Sequence, residues 1–240
     1  MSIKYIEQRV AQATFIKPLE PEWGGIGKGR METAKSGKLY PTETPHFNFR
    51  FTAGNEDLAP IVKEIYGDAP MSLDLMVLAV TTHADPIERY MPNSMQLWAK
   101  SQYDDKRTLM LECDSQTVTR VHNPTTKRHD YAPDVPCGFD PKTNKCSKGC
   151  KPTARLLVVL PALCQAVQAV GYFSLTIHGN DDIKDIISKF GRAGEKIPYI
   201  TWRFNRVPKT ATFLDEKDGG KMKERIHHPI QIEALNRYGG

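Results

Sequence analysis

The sequence predicts an α+β fold: a mixed or antiparallel sheet with a few short helices and an inserted zinc-binding loop. Three observations carry that prediction. Stretches of alternating or continuous apolar residues recur as strand candidates, interrupted by only a few stretches of helical spacing. Four of the five cysteines fall between Cys113 and Cys150, in a turn-rich polar stretch that breaks straight into an apolar run. The chain has 240 residues, 40% hydrophobic and 25% charged, which is enough to bury a sizeable core in a globular protein.

Taken in order, residues 1–45 read as an irregular N-terminal segment, and residues 46–240 as an α+β domain with the zinc-binding insertion at about 113–152. Residues 18–46 are rich in Gly, Pro, Lys and Glu and have no periodicity. The piece GGIGKGR lacks the GxxxxGK[ST] spacing of a phosphate loop, and no apolar strand precedes it. It reads as a flexible basic loop in which Lys28 and Arg30 can meet phosphates or the acidic face of a partner. His46–Ala53 alternates aromatic and polar side chains, a half-buried strand with Phe47, Phe49 and Phe51 on one face. Those aromatics serve either as core or as a platform for stacking bases.

Asn55–Tyr66 places Leu58, Ile61, Val62 and Ile65 at helical spacing and stops before Gly67. Strands follow at Ser72–Val80, around Met95–Tyr103, and at Arg107–Cys113. Beyond the cysteines, Thr153–Leu160 is a buried-looking strand ended by Pro161, and Ala162–Val170 a helix stopped by Gly171. Tyr172–His178 is a strand. Asn180–Phe190 is a helix with Asn180 as N-cap and acidic residues in its first turn, where they complement the helix dipole. Tyr199–Val207 alternates basic and apolar residues, Asp215–Lys221 is a polar turn, and Arg225–Ala234 a closing strand.

The cysteine spacing is Cys113-x23-Cys137-x8-Cys146-x3-Cys150. Zinc takes four thiolate or imidazole ligands in a tetrahedron, presented by chain that can turn tightly around the ion. Asp140, Pro141, Asn144 and Gly149 supply turn chemistry between the last three cysteines. Cys113, Cys137, Cys146 and Cys150 are therefore the candidate ligands of a structural zinc. His122 and His129 are alternative ligands or ordinary loop histidines, and Cys164, among small apolar neighbours, reads as core. Four sulfur ligands close the shell, whereas a catalytic zinc keeps an open position. There is no GxSxG or HExxH; His178 with Asp181 and Asp182 could hold a metal or a proton, but a strand-end histidine beside a helix start is the commoner arrangement.

A net charge of +5 and a pI near 8.9 tilt the protein mildly towards acidic partners. The N-terminal stretch has scattered charges and no signal-like apolar run, and nothing approaches the roughly 20 apolar residues of a membrane span. A soluble, cytoplasmic protein without a membrane partner is expected.

The run from Cys113-Asp114 through the spaced cysteines to CKPTARLLVVLP and GYFSLTIHGND resembles the recombination directionality factor-like family of phages and mobile elements. The likeness extends to GKLYPTETPHFNFRFTA, TWRFNRVPK and HHPIQIEAL, and so covers most of the chain from about Lys28 onward. Members are often labelled only as hydrolase or metal-binding proteins. Ser115 stands where the family has a glycine after Cys-Asp, and additional cysteines around the first ligand are absent.

The resemblance implies a non-enzymatic partner of a large serine integrase, acting in the host cytoplasm to redirect it from integration to excision. In that reading the cysteine staple presents the stretch Thr119–Tyr131, with Arg120, Lys127 and Arg128, as a docking surface close to the DNA of the synapse. The second reading is a nucleic-acid-binding subunit of a larger nucleoprotein complex, reading RNA or single strands through Phe47, Phe49, Trp202 and Arg203, with Arg206 on the same basic strand. The third is a metallohydrolase using His178 and Asp182.

Overall fold

The strand Lys151–Val159 (β10) is the branch point of the fold. In a computed structural model the described residues are 20–33, 39–78, 93–100, 107–113, 118–131, 135–136, 138–140, 145–215 and 221–236. One edge of β10 pairs with Tyr172–His178 (β11). The other edge is shared. Its C-terminal end pairs with Ser72–Val77 (β3), and its N-terminal end with Asn93–Lys100 (β4).

Two branches grow from this fork. The first continues from β11 to Glu22–Thr33 (β1) and Leu39–Phe51 (β2), and from β3 to Thr201–Arg206 (β12) and Ile230–Ala234 (β15). That makes a seven-strand body in the order β2-β1-β11-β10-β3-β12-β15, mixed because β1 and β11 run parallel. The second branch is an antiparallel wing: β4, Arg107–Cys113 (β5), Val118–His122 (β6) and His129–Tyr131 (β7). Two small ribbons stand apart, Phe139–Asp140 with Lys145–Cys146 (β8, β9) and Lys209–Asp215 with Lys221–His227 (β13, β14). The α+β expectation holds.

Residues directly opposite one another in a strand pair share a face. Following the register, Phe47, Ile26, Leu175, Leu156, Val158, Leu75, Trp202 and Phe204 fall on one side of the body, and all are buried. The helices Leu58–Tyr66 (α1), Pro161–Val167 (α2) and Asn180–Ala193 (α3) join this face in a single apolar core. Phe173 sits at its aromatic centre, with Trp23, Phe49 and Phe51 edge-on at 6.2, 5.7 and 6.1 Å. Phe190 of α3 lies 5.0 Å from Trp202. Each such side chain contributes about 1.5–3 kcal/mol relative to an exposed one. The opposite face carries Arg155, paired with Glu22, and Arg203, paired with Asp74, both partly in water. One face is packed and the other wet, as antiparallel-rich sheets allow.

The structure corrects the sequence reading in three places. Glu22–Thr33 and Leu39–Phe51 are strands, not an irregular segment; residues 1–19 and 34–38 of that segment lie outside the described residues. The glycines that hide β1 also permit it: a Cβ on Gly24 would sit 2.0 Å from the Arg50 carbonyl oxygen of the neighbouring strand. The closing strand is two, because His228-Pro229 breaks it between β14 and β15. The N-cap of α3 is Gly179 rather than Asn180.

Candidate functional site

Strand β4 lies between β5 and β10 and pairs with both, which brings the ends of those two strands level with each other on either side of Met95. Cys113 closes β5 opposite Met95; Cys150 immediately precedes β10, whose Pro152 also faces Met95. The two thiol sulfurs come within 4.0 Å, both residues are buried, and neither is in a disulfide. A disulfide would need about 2.05 Å. Zn–S bonds of about 2.3 Å at a tetrahedral angle place two sulfurs about 3.8 Å apart, so the pair matches one edge of a zinc tetrahedron.

Cys146 is half-buried at the end of β9. From it the chain turns back to Cys150: the Gly149 N–H donates to the Cys146 carbonyl at 2.9 Å, and Gly149 takes the left-handed φ of 79° that suits glycine. Cys137 lies outside the described residues. Its neighbours are fastened to the same turn, since the Gly138 carbonyl accepts from the Ser147 N–H at 2.7 Å and the Pro136 carbonyl from Lys148 Nζ at 2.9 Å. Among the described residues no group of three or more His, Cys, Asp or Glu is assembled to hold a metal. The structure thus joins Cys113 with Cys150, and Cys146 stands one turn earlier in the chain than Cys150. His122 and His129 are paired backbone positions across β6 and β7.

The wing ends in the β6–β7 hairpin, rooted where Cys113 pairs with Val118. Its tip is held by Asn123. The side-chain oxygen accepts the Thr125 and Thr126 N–H groups at 2.9 and 3.1 Å, and the side-chain amide donates to Asp130 at 2.7 Å. Lys127, at φ 57°, and Arg128 stand exposed on this tip. Arg120 occupies β6 opposite Glu112 and Tyr131.

The remaining expected contact residues are placed differently. Lys28 is not in a loop but on β1, where its ammonium donates to the His178 carbonyl at 3.0 Å and pairs with Asp182. Arg30 lies on the same strand opposite Thr42. Trp202 is a core residue, 3% exposed, whose indole N–H donates to the Ile197 carbonyl at 3.1 Å, so it offers no ring to a base. Phe47 and Phe49 are likewise taken up by the core. Arg203 grips Asp74 through two hydrogen bonds of 2.7 and 2.8 Å, which push its pKa up. Arg206 is buried and donates to the Thr44 carbonyl at 3.0 Å. Alternation along TWRFNR puts 202, 204 and 206 on one face, and the tryptophan and phenylalanine take Arg206 inward with them.

A cleft of about 350 Å³ opens at the start of α3, lined by Lys28, His178, Asp181, Asp182, His227 and His228 among others. Asp182, 4% exposed, uses one oxygen for Lys28 and the other for the Ile230 N–H at 2.8 Å. His178 Nδ1 lies 3.2 Å from the Thr153 hydroxyl. The carboxylate is engaged on both oxygens, and what it does is tie β1, α3 and β15 together. No sequence signal pairs Lys28 with Asp182, since only the tertiary fold brings them together.

A family model described as Gp3-like, recombination directionality factor-like, matches residues 23–227. No curated protein and no solved structure matches the chain. No helix among the described residues is long and apolar enough to cross a membrane.

Proposed function

Because the chain belongs to the recombination directionality factor-like family, whose members are generally non-catalytic regulators of recombination, we propose that it binds a large serine integrase and switches it from integration to excision. The observation that carries this reading is the family match over residues 23–227, which spans both the body and the wing. The contact surface in this reading is the β6–β7 hairpin, whose tip is fixed by Asn123 and presents Lys127 and Arg128 to solvent. A tip ordered in advance loses little conformational entropy on docking.

The reading includes a structural zinc at the hairpin's root, held by Cys113, Cys146 and Cys150 with Cys137 as fourth ligand. The separation of the Cys113 and Cys150 sulfurs and the turn between Cys146 and Cys150 support it. The ion would stabilise the hairpin's root by joining the end of β5 to the turn before β10. The reading as a single-strand binder is weakened by the burial of Phe47 and Trp202, and the metallohydrolase reading by the engagement of Asp182 with Lys28.

The test is binding of the purified integrase of the same mobile element to the wild-type chain and to the Lys127→Glu/Arg128→Glu variant. Binding by the wild type that falls about tenfold or more in the variant is the expected result. No binding by the wild type would sink the proposal.

A further inference from the structure

The stretch PKTNKCSKGCK has a lysine at every third position from Lys142 to Lys151 and no acidic residue, and it runs through two of the candidate zinc ligands. Residues 118–151 hold seven Lys or Arg against three Asp or Glu, a net +4 in a chain whose total is +5. The protein's excess charge is therefore gathered in the hairpin and the cysteine turn. Four thiolates around a divalent ion would add two negative charges, and the stretch would still be positive.

Lys142 lies outside the described residues, and Lys145 sits on β9 opposite Asp140. Lys148 and Lys151 are both exposed. The turn that carries Lys148 is fixed, because the Gly149 N–H donates to the Cys146 carbonyl at 2.9 Å and the Ser147 N–H to the Gly138 carbonyl at 2.7 Å. Lys148 Nζ donates to the Pro136 carbonyl at 2.9 Å, a neutral acceptor that leaves the ammonium its charge and two of its three N–H bonds. Lys151 opens β10 three residues later, at most about 11 Å away along the chain.

The chemistry of this surface selects its partner. Protein interfaces are depleted in lysine and centre on aromatic, methionine or arginine anchors. Among the described side chains of residues 118–151, Val135, 39% exposed, is the one large apolar group open to solvent. Interfaces with DNA are instead polar and strongly positive, and each strand offers a phosphate about every 3.4 Å of helix axis. Two ammonium groups on a fixed turn can each take a phosphate of one backbone. A second copy of the turn would set lysine against lysine.

We infer that the cysteine turn is a contact for the backbone of duplex DNA, in which Lys148 and Lys151 each neutralise a phosphate without reading the sequence. The contact is separate from the hairpin tip and does not depend on the integrase partnership. Lysine acts here as a compact point charge, so the binding is electrostatic and salt-dependent.

The experiment measures fluorescence anisotropy of short labelled duplexes of two unrelated sequences, without integrase, across a salt series from about 50 to 200 mM. The proteins are the wild type, Lys148→Gln/Lys151→Gln, Lys151→Gln and Lys148→Arg/Lys151→Arg, with unfolding midpoints to verify that each is folded. A polyglutamate peptide serves as a second probe. The expected result is binding by the wild type to both duplexes alike, with a plot of log affinity against log salt that is shallower by about two in the double glutamine variant and by about one in Lys151→Gln. The arginine variant keeps the wild-type slope. Should Lys148→Gln disturb the turn, Lys151→Gln carries the test by itself. A slope unchanged in the glutamine variants overturns the contact, as does absence of duplex binding by the wild type at the lowest salt. Capture of polyglutamate in place of the duplex overturns it in favour of an acidic protein. Integrase takes no part, so each of these outcomes leaves the integrase partnership to its own experiment.

Discussion

The body and the wing share strand β10 but are held together by different means. The body's core is apolar and continuous, drawing on β1, β2, β3, β10, β11, β12, β15 and the three described helices. Among the described side chains, none of the core's residues comes from the wing. Among the wing's described side chains the buried ones are Glu112 and Cys113, with Cys150 at the border. A sheet that buries apolar side chains on one face needs no further fastening. The wing is a meander tied by its hairpin turns and, in the proposed function, by the ion its thiols would hold. Stability and recognition then fall in different places: the body tolerates no large cavity, and the hairpin tip can change its surface at little cost.

The largest expected effect breaks the body. Phe173→Ala removes a fully buried ring from contact with three aromatic neighbours and costs about 3–5 kcal/mol, read as a lower urea midpoint. Asp182→Ala follows, at about 3 kcal/mol, because it strands both the Lys28 ammonium and the Ile230 N–H. Asp182→Asn, which retains an oxygen for Ile230, loses less. A cost below about 0.5 kcal/mol for Asp182→Ala would show that the cleft, not the body, owns this residue.

Cys150→Ser sharpens the comparison from the other side. Zinc content measured by mass spectrometry falls from one ion per chain to none, and amide exchange accelerates in β4–β7 while α3 and β11 keep their protection. A chelator added to the wild type does the same. Equal loosening of body and wing would contradict their separation.

The smallest effect is confined to alkaline solution. Burial pushes the Tyr66 phenol up to about 12 from its ordinary 10. The folded state therefore keeps a proton that the unfolded chain releases, so stability is intact below pH 10 and declines as the pH rises from 10 towards 12. Tyr66→Phe flattens that decline in a series of denaturation curves, and an unchanged slope would assign it to other groups.

The parts legible in the sequence are those whose pattern is local. Arg107–Cys113 and Tyr172–His178 were readable to the residue, and α1 and α3 to within a turn, because alternation or helical spacing is written into each stretch. Strand β1 was not, because its glycines erase alternation and its order comes from β2 and β11 on either side. The cysteine spacing singles out Cys113 and Cys150, whose sulfurs lie within 4.0 Å because β4 links their strands, but it carries no sign of that link. Trp202 and Arg206 were misplaced on the surface although their own alternation with Phe204 pointed inward. The same rule applied to KMKERIH separates Met222 and Ile226 from the lysines, a signal present but unused.

The proposed role, setting the direction of recombination, is tested by an in vitro assay with purified large serine integrase, run in the integrative and the excisive direction with and without the chain. Excision that depends on the chain and integration that the chain suppresses are the expected results. Identical yields in both directions, with and without it, would rule the role out.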